Sequence, residues 1–363
     1  MDIFLDGKPY LRADFARMFI PPVGNMNIAQ VTKSAGVPTP SSFIVIGGKV
    51  VPGSEHPGGG GNNDLAFSED GKHYAVRYTN PNSHQYLFVD GKRTQEYTRF
   101  DLFHSYGANS RQKYIDFTPA GAPVFVGFNG NSQFVNVGNQ EWPQLMYMTE
   151  LAISPAGNHV VASGLHQLQV DGKAVSMPDA DRIYSLKFSS DGAHMAMAVQ
   201  SRAGITVFLD GTPQTAFGAV VQDDSVFIFS PDGKHLAYIC RSSNPAAGND
   251  LGVCVDGKYV SVGANSPLGL TFSNDSNHLF WNKRTPRAGF RAYVDGNPVY
   301  DGFVPAVSGF AKENWQADGP NGLLFLSRDN TGFKRISVIP SDQSNLAAMV
   351  GGANAIPAAH SGN

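Results

Sequence analysis

One short phrase recurs along the chain: an apolar residue, Ser or Thr, a tight turn usually ending in Gly, and then an apolar run. It occurs as FSEDGKHYAV from Phe67, FTPAGAPVFV from Phe117, ISPAGNHVVA from Ile153, FSSDGAHMAM from Phe188, FSPDGKHLAY from Phe229, FSNDSNHLFW from Phe272 and, in a weaker form, WQADGPNGLLFL from Trp315. The mean period is about 41 residues, which suits four short strands with their turns. A chain with this repeat is expected to fold into a series of similar β-sheets.

A second phrase lies between the copies of the first and ends in Asp-Gly. It reads LFVDGK from Leu87, LQVDGK from Leu168, VFLDGT from Val207, VCVDGK from Val253 and AYVDGN from Ala292. Asp-Gly between β-rich runs predicts a hairpin, because Gly accepts a positive φ and Asp bonds the local backbone. Each unit therefore has four strands. Strand A ends in the first phrase, B follows its turn, C ends in Asp-Gly and D follows it.

A four-stranded antiparallel unit repeated seven times predicts an all-β fold, a β-propeller of four-stranded blades. The phrases FSPDGKHLAY and VCVDGK resemble the TolB-like and WD-repeat-like β-propellers of bacteria, over residues 64–340. The resemblance implies an architecture only, since such propellers include binding scaffolds, partner-docking modules and enzymes.

The first 66 residues decide the predicted number of blades. Residues 43–51 form another C–D phrase and 19–33 supply strands A and B, so 19–53 is expected to be a first blade, with eight blades in all. The alternative is seven blades plus an N-terminal extension. It is favoured locally because Leu11, Phe15, Met18 and Phe19 fit one helical face.

The sequence from Ile3, IFLDGK, repeats the C–D phrase once more, while the last blade is short of a strand. Residues 1–10 are therefore expected to supply strands that close the ring. The prediction is a single domain over residues 1–350, followed by a flexible tail at 351–363.

The charge balance restricts the partners. With 27 basic and 30 acidic residues the net charge is −3, so no electrostatic field favours binding of a polyanion and nucleic-acid binding is not expected.

The apolar stretches are too short for a membrane helix. The N-terminus lacks the basic and apolar regions of a signal peptide. A periplasmic or secreted protein whose leader has been removed is preferred, with a cytoplasmic protein as the alternative. No cofactor and no metal site is expected.

The only two cysteines, Cys240 and Cys254, have no zinc-binding spacing. Cys240 ends strand B and Cys254 lies in strand C of the same blade. They are expected to be cross-strand neighbours, within reach of a disulfide if their Cα atoms come within about 7 Å.

The A–B and C–D turns should emerge at one end of every blade, and the B–C and D–A connections at the other. The first set is short and regular. The second set is irregular and is predicted to carry the functional site, because sites are usually built on loops of a rigid scaffold. Its predicted loops are Thr79–Gln85, Thr98–Lys113, Arg241–Asp250, Asn282–Gly289 and Ser327–Gly332.

Basic residues recur where strand B ends in the last four units, and together with loop aromatics they are the predicted ligand-binding residues. Guanidinium groups above a channel mouth would bind carboxylate, sulfate or phosphate groups in a bidentate manner, whereas solvated charges or inter-blade ion pairs are the alternative. The ligand-binding candidates are Arg202, Arg241, Lys283, Arg284 and Arg328, with Arg287 nearby, and Tyr106 and Trp281. Tyr78 and Trp142 are further aromatics for sugar stacking, unless they pack between blades.

Ionisable residues just before strand A can face the channel, where carboxylates could act as acid and base or hydrogen-bond the next blade. The catalytic candidates are Asp64, Glu150, Asp224 and Glu313, with His84 and His104; Asp116 and Lys187 occupy the same position. One histidine per blade opens strand B, and these are expected to be structural: His73, His159, His194, His235 and His278.

No hydrolase elbow, zinc helix, CxxC pair or EF-hand loop occurs. The preferred hypothesis is a non-enzymatic propeller that binds a protein partner, or an anionic or saccharide ligand, at its irregular face. The alternative is a propeller enzyme of lyase or glycoside hydrolase type, with a site built from carboxylates and an irregular histidine.

Overall fold

The computed structural model is almost entirely β-structure. It describes residues 2–5, 8–12, 15–19, 28–33, 41–46, 49–51, 56–57, 65–80, 82–101, 103–104, 112–113, 115–148, 150–177, 180–202, 204–214, 227–241, 251–261, 267–285, 289–303, 315–329, 332–340 and 346–349. The chain divides into two compact units, Met1–Ile153 with His159–Ser176, and Ser154–Asn158 with Met177–Asn363. In the described part no helix is long and apolar enough to cross a membrane.

The first unit holds the strands β1 to β22. In chain order they are β1 (Asp2–Leu5), β2 (Lys8–Arg12), β3 (Phe15–Phe19), β4 (Ile28–Lys33), β5 (Ser41–Ile46), β6 (Lys49–Val50), β7 (His56–Pro57), β8 (Leu65–Phe67), β9 (Tyr74–Thr79), β10 (Gln85–Val89), β11 (Lys92–Arg93), β12 (Arg99–Asp101), β13 (Phe103–His104), β14 (Gln112–Lys113), β15 (Ile115–Phe117), β16 (Pro123–Asn129), β17 (Ser132–Val137), β18 (Gln140–Glu141), β19 (Glu150–Ile153), β20 (Val160–Gly164), β21 (Gln167–Val170) and β22 (Lys173–Ser176).

The second unit holds β23 to β37 and one short helix. In chain order they are β23 (Arg182–Phe188), β24 (Met195–Ser201), β25 (Gly204–Leu209), β26 (Thr212–Pro213), β27 (Phe227–Phe229), β28 (Leu236–Arg241), β29 (Leu251–Val255), β30 (Lys258–Ser261), β31 (Pro267–Phe272), β32 (Leu279–Thr285), β33 (Gly289–Val294), β34 (Asn297–Phe303), β35 (Trp315–Asp318), β36 (Gly322–Asp329), β37 (Gly332–Val338) and α1 (Leu346–Met349).

Consecutive strands pair antiparallel in the predicted order A-B-C-D. Four-stranded sheets form from β8–β11, β19–β22, β23–β26, β27–β30 and β31–β34, and β35–β37 form a three-stranded sheet. In a further sheet, β16, β17 and β18 serve as B, C and D, while β12 and β15 both pair with β16. The prediction of an all-β chain of repeated antiparallel sheets is confirmed.

Residues 99–113 differ from the prediction, which treated Thr98–Lys113 as one loop. Arg99–Asp101 forms β12 on the edge of the sheet, and the chain then makes a small hairpin, β13–β14, before β15 continues along the same edge. Strand A of this sheet is therefore split. Two other predicted loops begin later than expected, because β32 continues to Thr285 and β36 to Asp329.

The N-terminal segment is also strand. Sheet β3-β4-β5-β6, with β7 paired to β5, occupies the region predicted as a first blade. The helical interpretation of residues 11–19 is wrong, because Leu11 lies in β2 and Phe15, Met18 and Phe19 lie in β3, which pairs with β4 along its whole length. β1 and β2 form a two-stranded sheet. The single-domain boundary at residue 350 stays a prediction, and the tail 351–363 lies outside the described residues.

The Asp-Gly pairs of the second phrase form hairpins, as predicted. In the five C–D turns that follow β10, β21, β25, β29 and β33, both Asp and Gly have positive φ, for example 47° at Asp295 and 86° at Gly296. Two consecutive residues with positive φ make a type I′ turn, whose twist matches that of the strands it joins. Asp tolerates this conformation because its side chain bonds locally, and Gly has no Cβ to clash.

Side chains from neighbouring sheets form the cores of each unit. In the second unit, Ala196 and Ala198 of β24 pack with Phe227 of β27 and Tyr238 of β28, and all four are at most 1% exposed. Small residues opposite aromatic rings let the two sheets approach closely. Cys240 and Cys254 lie in the same core on paired strands, as predicted, and they form the disulfide that the sequence left open, with their Cα atoms 5.9 Å apart.

Candidate functional site

The hydrogen bonds distinguish two ends of each sheet. The A–B and C–D turns meet at one end, where His73 of the first turn contacts Asp90 of the second. The B–C and D–A connections meet at the other, where Asn80 contacts Glu96. We call these the tight-turn end and the irregular end. The predicted segregation of turns is therefore observed within a sheet.

The tight-turn end carries a repeated side-chain clasp. In each, the Nδ1 atom of the strand-B histidine lies 2.7 Å from one carboxylate oxygen of the Asp in the C–D turn. The pairs are His73–Asp90, His159–Asp171, His194–Asp210, His235–Asp256 and His278–Asp295. The other oxygen of the carboxylate accepts the backbone N–H of the residue after the histidine, at 2.8–3.0 Å. Each clasp joins the two turns of one sheet.

Four of these turns add a serine and a second aspartate. The serine Oγ donates to the carboxylate two residues later, at 2.5–2.6 Å, and accepts the backbone N–H of the histidine, at 2.9–3.0 Å. The pairs are Ser68–Asp70, Ser189–Asp191, Ser230–Asp232 and Ser273–Asp275. Ser, His and Asp meet here, yet the hydroxyl donates to its own aspartate and not to the imidazole. The arrangement is therefore not a nucleophile with its base.

The electrostatics agree with a structural role. Burial raises the pKa of Asp232, but the hydrogen bonds from Ser230 and from the Lys234 N–H lower it to about 2. The hydrogen bond to Asp256 raises the pKa of His235. Within the described part of the chain, no cluster of three or more His, Cys, Asp or Glu could hold a metal ion.

The predicted catalytic residues are spread over several sheets. Glu150 is buried at the start of β19, and the β13–β14 hairpin, which carries His104, lies against β19. The side chain of His104 lies outside the described residues, as do Asp64, Asp224 and Glu313. Asp116 is half-buried on β15. Lys187 lies on β23 and donates from Nζ to the carbonyl oxygen of Phe227 on β27, at 2.8 Å, a hydrogen bond between neighbouring sheets.

His84 belongs to a polar group at an irregular end. Its Nδ1 is 3.8 Å from Oε2 of Glu96, too far for a hydrogen bond, and both side chains are partly exposed. The Glu96 carboxylate is held by Nδ2 of Asn80, at 3.0 Å, and by Arg93, whose guanidinium also covers the ring of Tyr86. This is the one irregular histidine that the described part pairs with a carboxylate.

Three of the basic residues predicted to bind a ligand have described side chains. Arg202, in the β24–β25 turn, and Arg241, at the end of β28, are exposed at irregular ends. Lys283 lies on β32 with its Nζ 5.3 Å from the centre of the Tyr293 ring. The side chains of Arg284 and Arg328, and all of Arg287, lie outside the described residues.

The aromatics selected from the sequence are core residues. Tyr78 and Trp281 are 1% exposed and Trp142 is 6% exposed. Trp281 stacks on Tyr293 with the ring centres 5.6 Å apart. These rings pack between or within sheets, the alternative considered above. Tyr106 lies outside the described residues.

One exposed aromatic was missed. Tyr147, in the connection between β18 and β19, is 72% exposed, and it lies beside Met146 and Leu165, which are 55% and 37% exposed. Its φ is 50°. Alternation through Leu145, Met146 and Tyr147 predicts that Leu145 and Tyr147 face the same way, and Leu145 is buried. The left-handed backbone conformation at Tyr147 breaks this alternation, so the sequence carried no signal for the exposure of Tyr147.

No protein-family model matches this sequence. No curated protein matches it.

Solved structures show similarity at low identity. They include a crystal structure described as the eukaryotic initiation factor (11% identity, 88% of this chain, 87% of that chain, TM-score 0.46). TolB from Acinetobacter baumannii is 15% identical over 64% of this chain and 62% of its own, with a TM-score of 0.30. The β-propeller domain of the Trilobed protease from Pyrococcus furiosus is 12% identical over 79% of this chain and 97% of its own, with a TM-score of 0.31. Propeller proteins are thus among the similar structures, and at these values they do not indicate what this chain binds.

Proposed function

We propose that this protein is a non-enzymatic binding module that holds its ligand or partner at the irregular ends of its sheets. The observation that carries this proposal is that Arg202, Arg241 and Tyr147 are exposed at irregular ends, whereas the recurring Ser, His and Asp side chains of the tight turns bond one another. Exposed cationic and aromatic side chains on a rigid scaffold suit an anionic or saccharide ligand, or a protein partner.

We also propose that the sheets are the blades of an eight-bladed propeller closed by the N-terminal strands. Two features support it: the last sheet, β35–β37, has three strands where most others have four, and the β1–β2 hairpin repeats the C–D phrase. Deleting residues 1–12 is expected to increase amide hydrogen exchange in β37, because closure would protect an edge strand. Unchanged exchange in β37 would contradict closure.

The proposed binding end is tested with two matched double variants of the full chain. Arg202→Ala with Arg241→Ala removes two charges from irregular ends, and Lys234→Ala with Lys258→Ala removes two charges beside tight turns of the same unit. The probe is a printed array of neutral, sulfated and uronate-containing oligosaccharides, complemented by titration calorimetry with citrate.

The wild-type chain is expected to bind at least one of these probes. Binding of the acidic probes should fall at least tenfold in the arginine variant and persist in the lysine variant. If the wild-type chain binds none of the probes, or if the lysine variant alone loses binding, the proposal is wrong.

A second candidate function, a lyase or glycoside hydrolase, is favoured only by the position of His84 beside Glu96. A histidine next to a carboxylate at an exposed connection is a possible acid–base pair. The test is release of reducing ends or of unsaturated uronate from the same oligosaccharides. If the wild type shows turnover that is lost in His84→Ala and kept in His159→Ala, the enzyme hypothesis is favoured. If the wild type shows no turnover, the binding-module proposal is favoured.

A further inference from the structure

Two residues of unusual type adopt the left-handed conformation side by side. Ten non-glycine residues of the described part have positive φ, and eight of them are Asp or Ser. The other two are Tyr147, at 50°, and His166, at 57°. Bulky side chains rarely adopt this conformation, because it brings Cβ close to the following carbonyl oxygen. Strain of this kind clusters at functional sites, so the pair is a candidate site.

Hydrogen bonds hold Tyr147 from both sides. Gln133 accepts the N–H of Leu145 through its backbone oxygen, at 3.0 Å, and the N–H of Met148 through Oε1, at 2.9 Å. Leu165 donates its N–H to the carbonyl oxygen of Met146, at 2.8 Å. Leu145 is 1% exposed in a core cluster. The ring of Tyr147 is therefore presented to solvent on a fixed backbone, which lowers the entropy cost of binding.

The close approach of the two segments depends on a glycine. A Cβ on Gly164 would lie 2.6 Å from the carbonyl oxygen of Met146. Without that Cβ, the Leu165–His166 turn lies directly against the Tyr147 segment. These two adjoining segments expose four residues, Met146, Tyr147, Leu165 and His166, which we call the Tyr147 patch.

Amide side chains neighbour the Tyr147 patch. The Leu145–Gln133 bridge places the segment beside the β16–β17 hairpin, where Asn129 ends β16 and Asn131 lies in the turn. Gln144 precedes the patch in the chain. All three amide side chains are exposed, and within the described part none makes a hydrogen bond or ion pair. Free amides next to an aromatic ring can donate to and accept from hydroxyl groups.

The preceding sheet has a position equivalent to that of Tyr147, and there the side chain has a partner within the protein. There the Gln85–Tyr97 bridge corresponds to Gln133–Leu145, and Phe100 donates its N–H to Gln85 Oε1 as Met148 does to Gln133. Arg99, the equivalent of Tyr147, lies over the ring of Phe128, 4.1 Å from its centre. Tyr147 has no ring or cation partner in the described part, so its face is open to a ligand.

From these observations we propose that the Tyr147 patch binds a neutral saccharide, one pyranose ring stacking on Tyr147 while its hydroxyls bond to the neighbouring amides. This proposal rests on the proposed binding function and names the ligand class for one of its sites. The apolar C–H face of a sugar matches the negative face of an aromatic ring. The area argues against a stable protein partner, since the three apolar side chains offer on the order of 300–400 Å². A standard interface needs about 800 Å² per partner.

The test uses the full chain and a printed array of neutral β-glucan, mannan, xylan and chito-oligosaccharides. Tyr147→Asn removes the ring and keeps a residue that tolerates positive φ, so the fold should not suffer. Tyr147→Phe keeps the ring. Val175→Ala is the matched control, because Val175 is an exposed apolar residue of the same unit, 45% exposed.

The wild-type chain, Tyr147→Phe and Val175→Ala should retain at least one neutral glycan, and Tyr147→Asn should bind it at least tenfold more weakly. Equal binding by Tyr147→Asn, or no neutral glycan bound by the wild-type chain, overturns the saccharide proposal. If acidic probes still bind through Arg202 and Arg241, only the saccharide proposal fails, and the proposed function stands. Binding of a printed peptide array that depends on Tyr147, without any glycan, would overturn the saccharide proposal and assign the patch to a protein segment.

Discussion

The turn at residues 154–159 has lost one half of the clasp that its sister turns keep. Ser154 is fully buried, and its Oγ has no hydrogen-bond partner in the described part of the chain. Ala156 stands where the sister turns have aspartate, as the phrases ISPAGNH and FSPDGKH show. We predict that Ala156→Asp stabilises the protein, because the new carboxylate would accept the Ser154 hydroxyl.

The magnitude follows from the sister turn at 229–235. There Asp232 Oδ1 accepts from Ser230 Oγ at 2.6 Å and from the Lys234 N–H at 3.2 Å. Leaving a buried hydroxyl unpaired costs about 1–3 kcal/mol. The conformational entropy that the new aspartate side chain loses on becoming ordered offsets part of the gain from pairing it. The net gain should be about 1–2 kcal/mol, or roughly 2–6 °C in Tm. Space for the new carboxylate is available. Asp191 occupies the position equivalent to Ala156 in the next sheet, and its carboxylate fits directly beside Gly233 of the following turn.

The assay is scanning calorimetry and urea unfolding of four proteins: wild type, Ala156→Asp, Ser154→Ala and the double variant. The gain from Ala156→Asp should vanish when Ser154 is replaced by alanine, since the hydroxyl is the partner of the new carboxylate. It should also fade as the pH drops toward 2, because the sister Asp232 has its pKa lowered to about 2 and stabilises only while ionised. A gain that survives in the Ser154→Ala background would refute this reasoning.

Three further predictions concern the clasps and the disulfide. Asp295→Asn should cost about 1.5–3 kcal/mol in urea unfolding, because the His278–Asp295 pair is buried, whereas Asp171→Asn should cost under about 1 kcal/mol because that pair is half exposed; equal losses would contradict this. The raised pKa of His235 means that the His235–Asp256 pair stabilises the fold most below about pH 6.5, and that this stabilisation is lost as the pH rises through the raised pKa. In Asp256→Asn, the midpoint of urea unfolding should therefore depend less on pH between about pH 5 and 9 than it does in the wild type. Replacing Cys240 and Cys254 together by alanine should lower the free energy of unfolding by about 2–4 kcal/mol, and intact mass with and without reductant checks the bond itself, an unchanged mass being the contrary result.

The strands, the turns and the two ends were predictable because their causes are local. Alternating apolar residues predict strands, and Asp-Gly between two such strands predicts a hairpin turn, as at Asp295 and Gly296. The Cys240–Cys254 bond was also within reach, since strand assignment places both residues in paired strands. By contrast, the spacing of Leu11, Phe15 and Met18 fits a helix equally well, and only the pairing of β3 with β4 resolved it.

The clasps of the tight turns and the surroundings of the candidate site were less predictable, because both depend on contacts between distant positions. At the tight-turn end, His278 and Asp295 each look like turn residues alone, and nothing local shows that they bond each other. Trp281 and Trp142 looked like loop aromatics because the strands and connections that bury them could not be bounded from sequence.

The sequence by itself determined the repeated antiparallel sheet, its turn chemistry and which connections share an end, because strand period and turn conformation are set by neighbouring residues. The tertiary structure alone decided that Tyr147 is exposed. Its direction comes from hydrogen bonds made by Gln133 and Leu165, residues 14 and 18 positions away, and from a backbone reversal that no local pattern encodes.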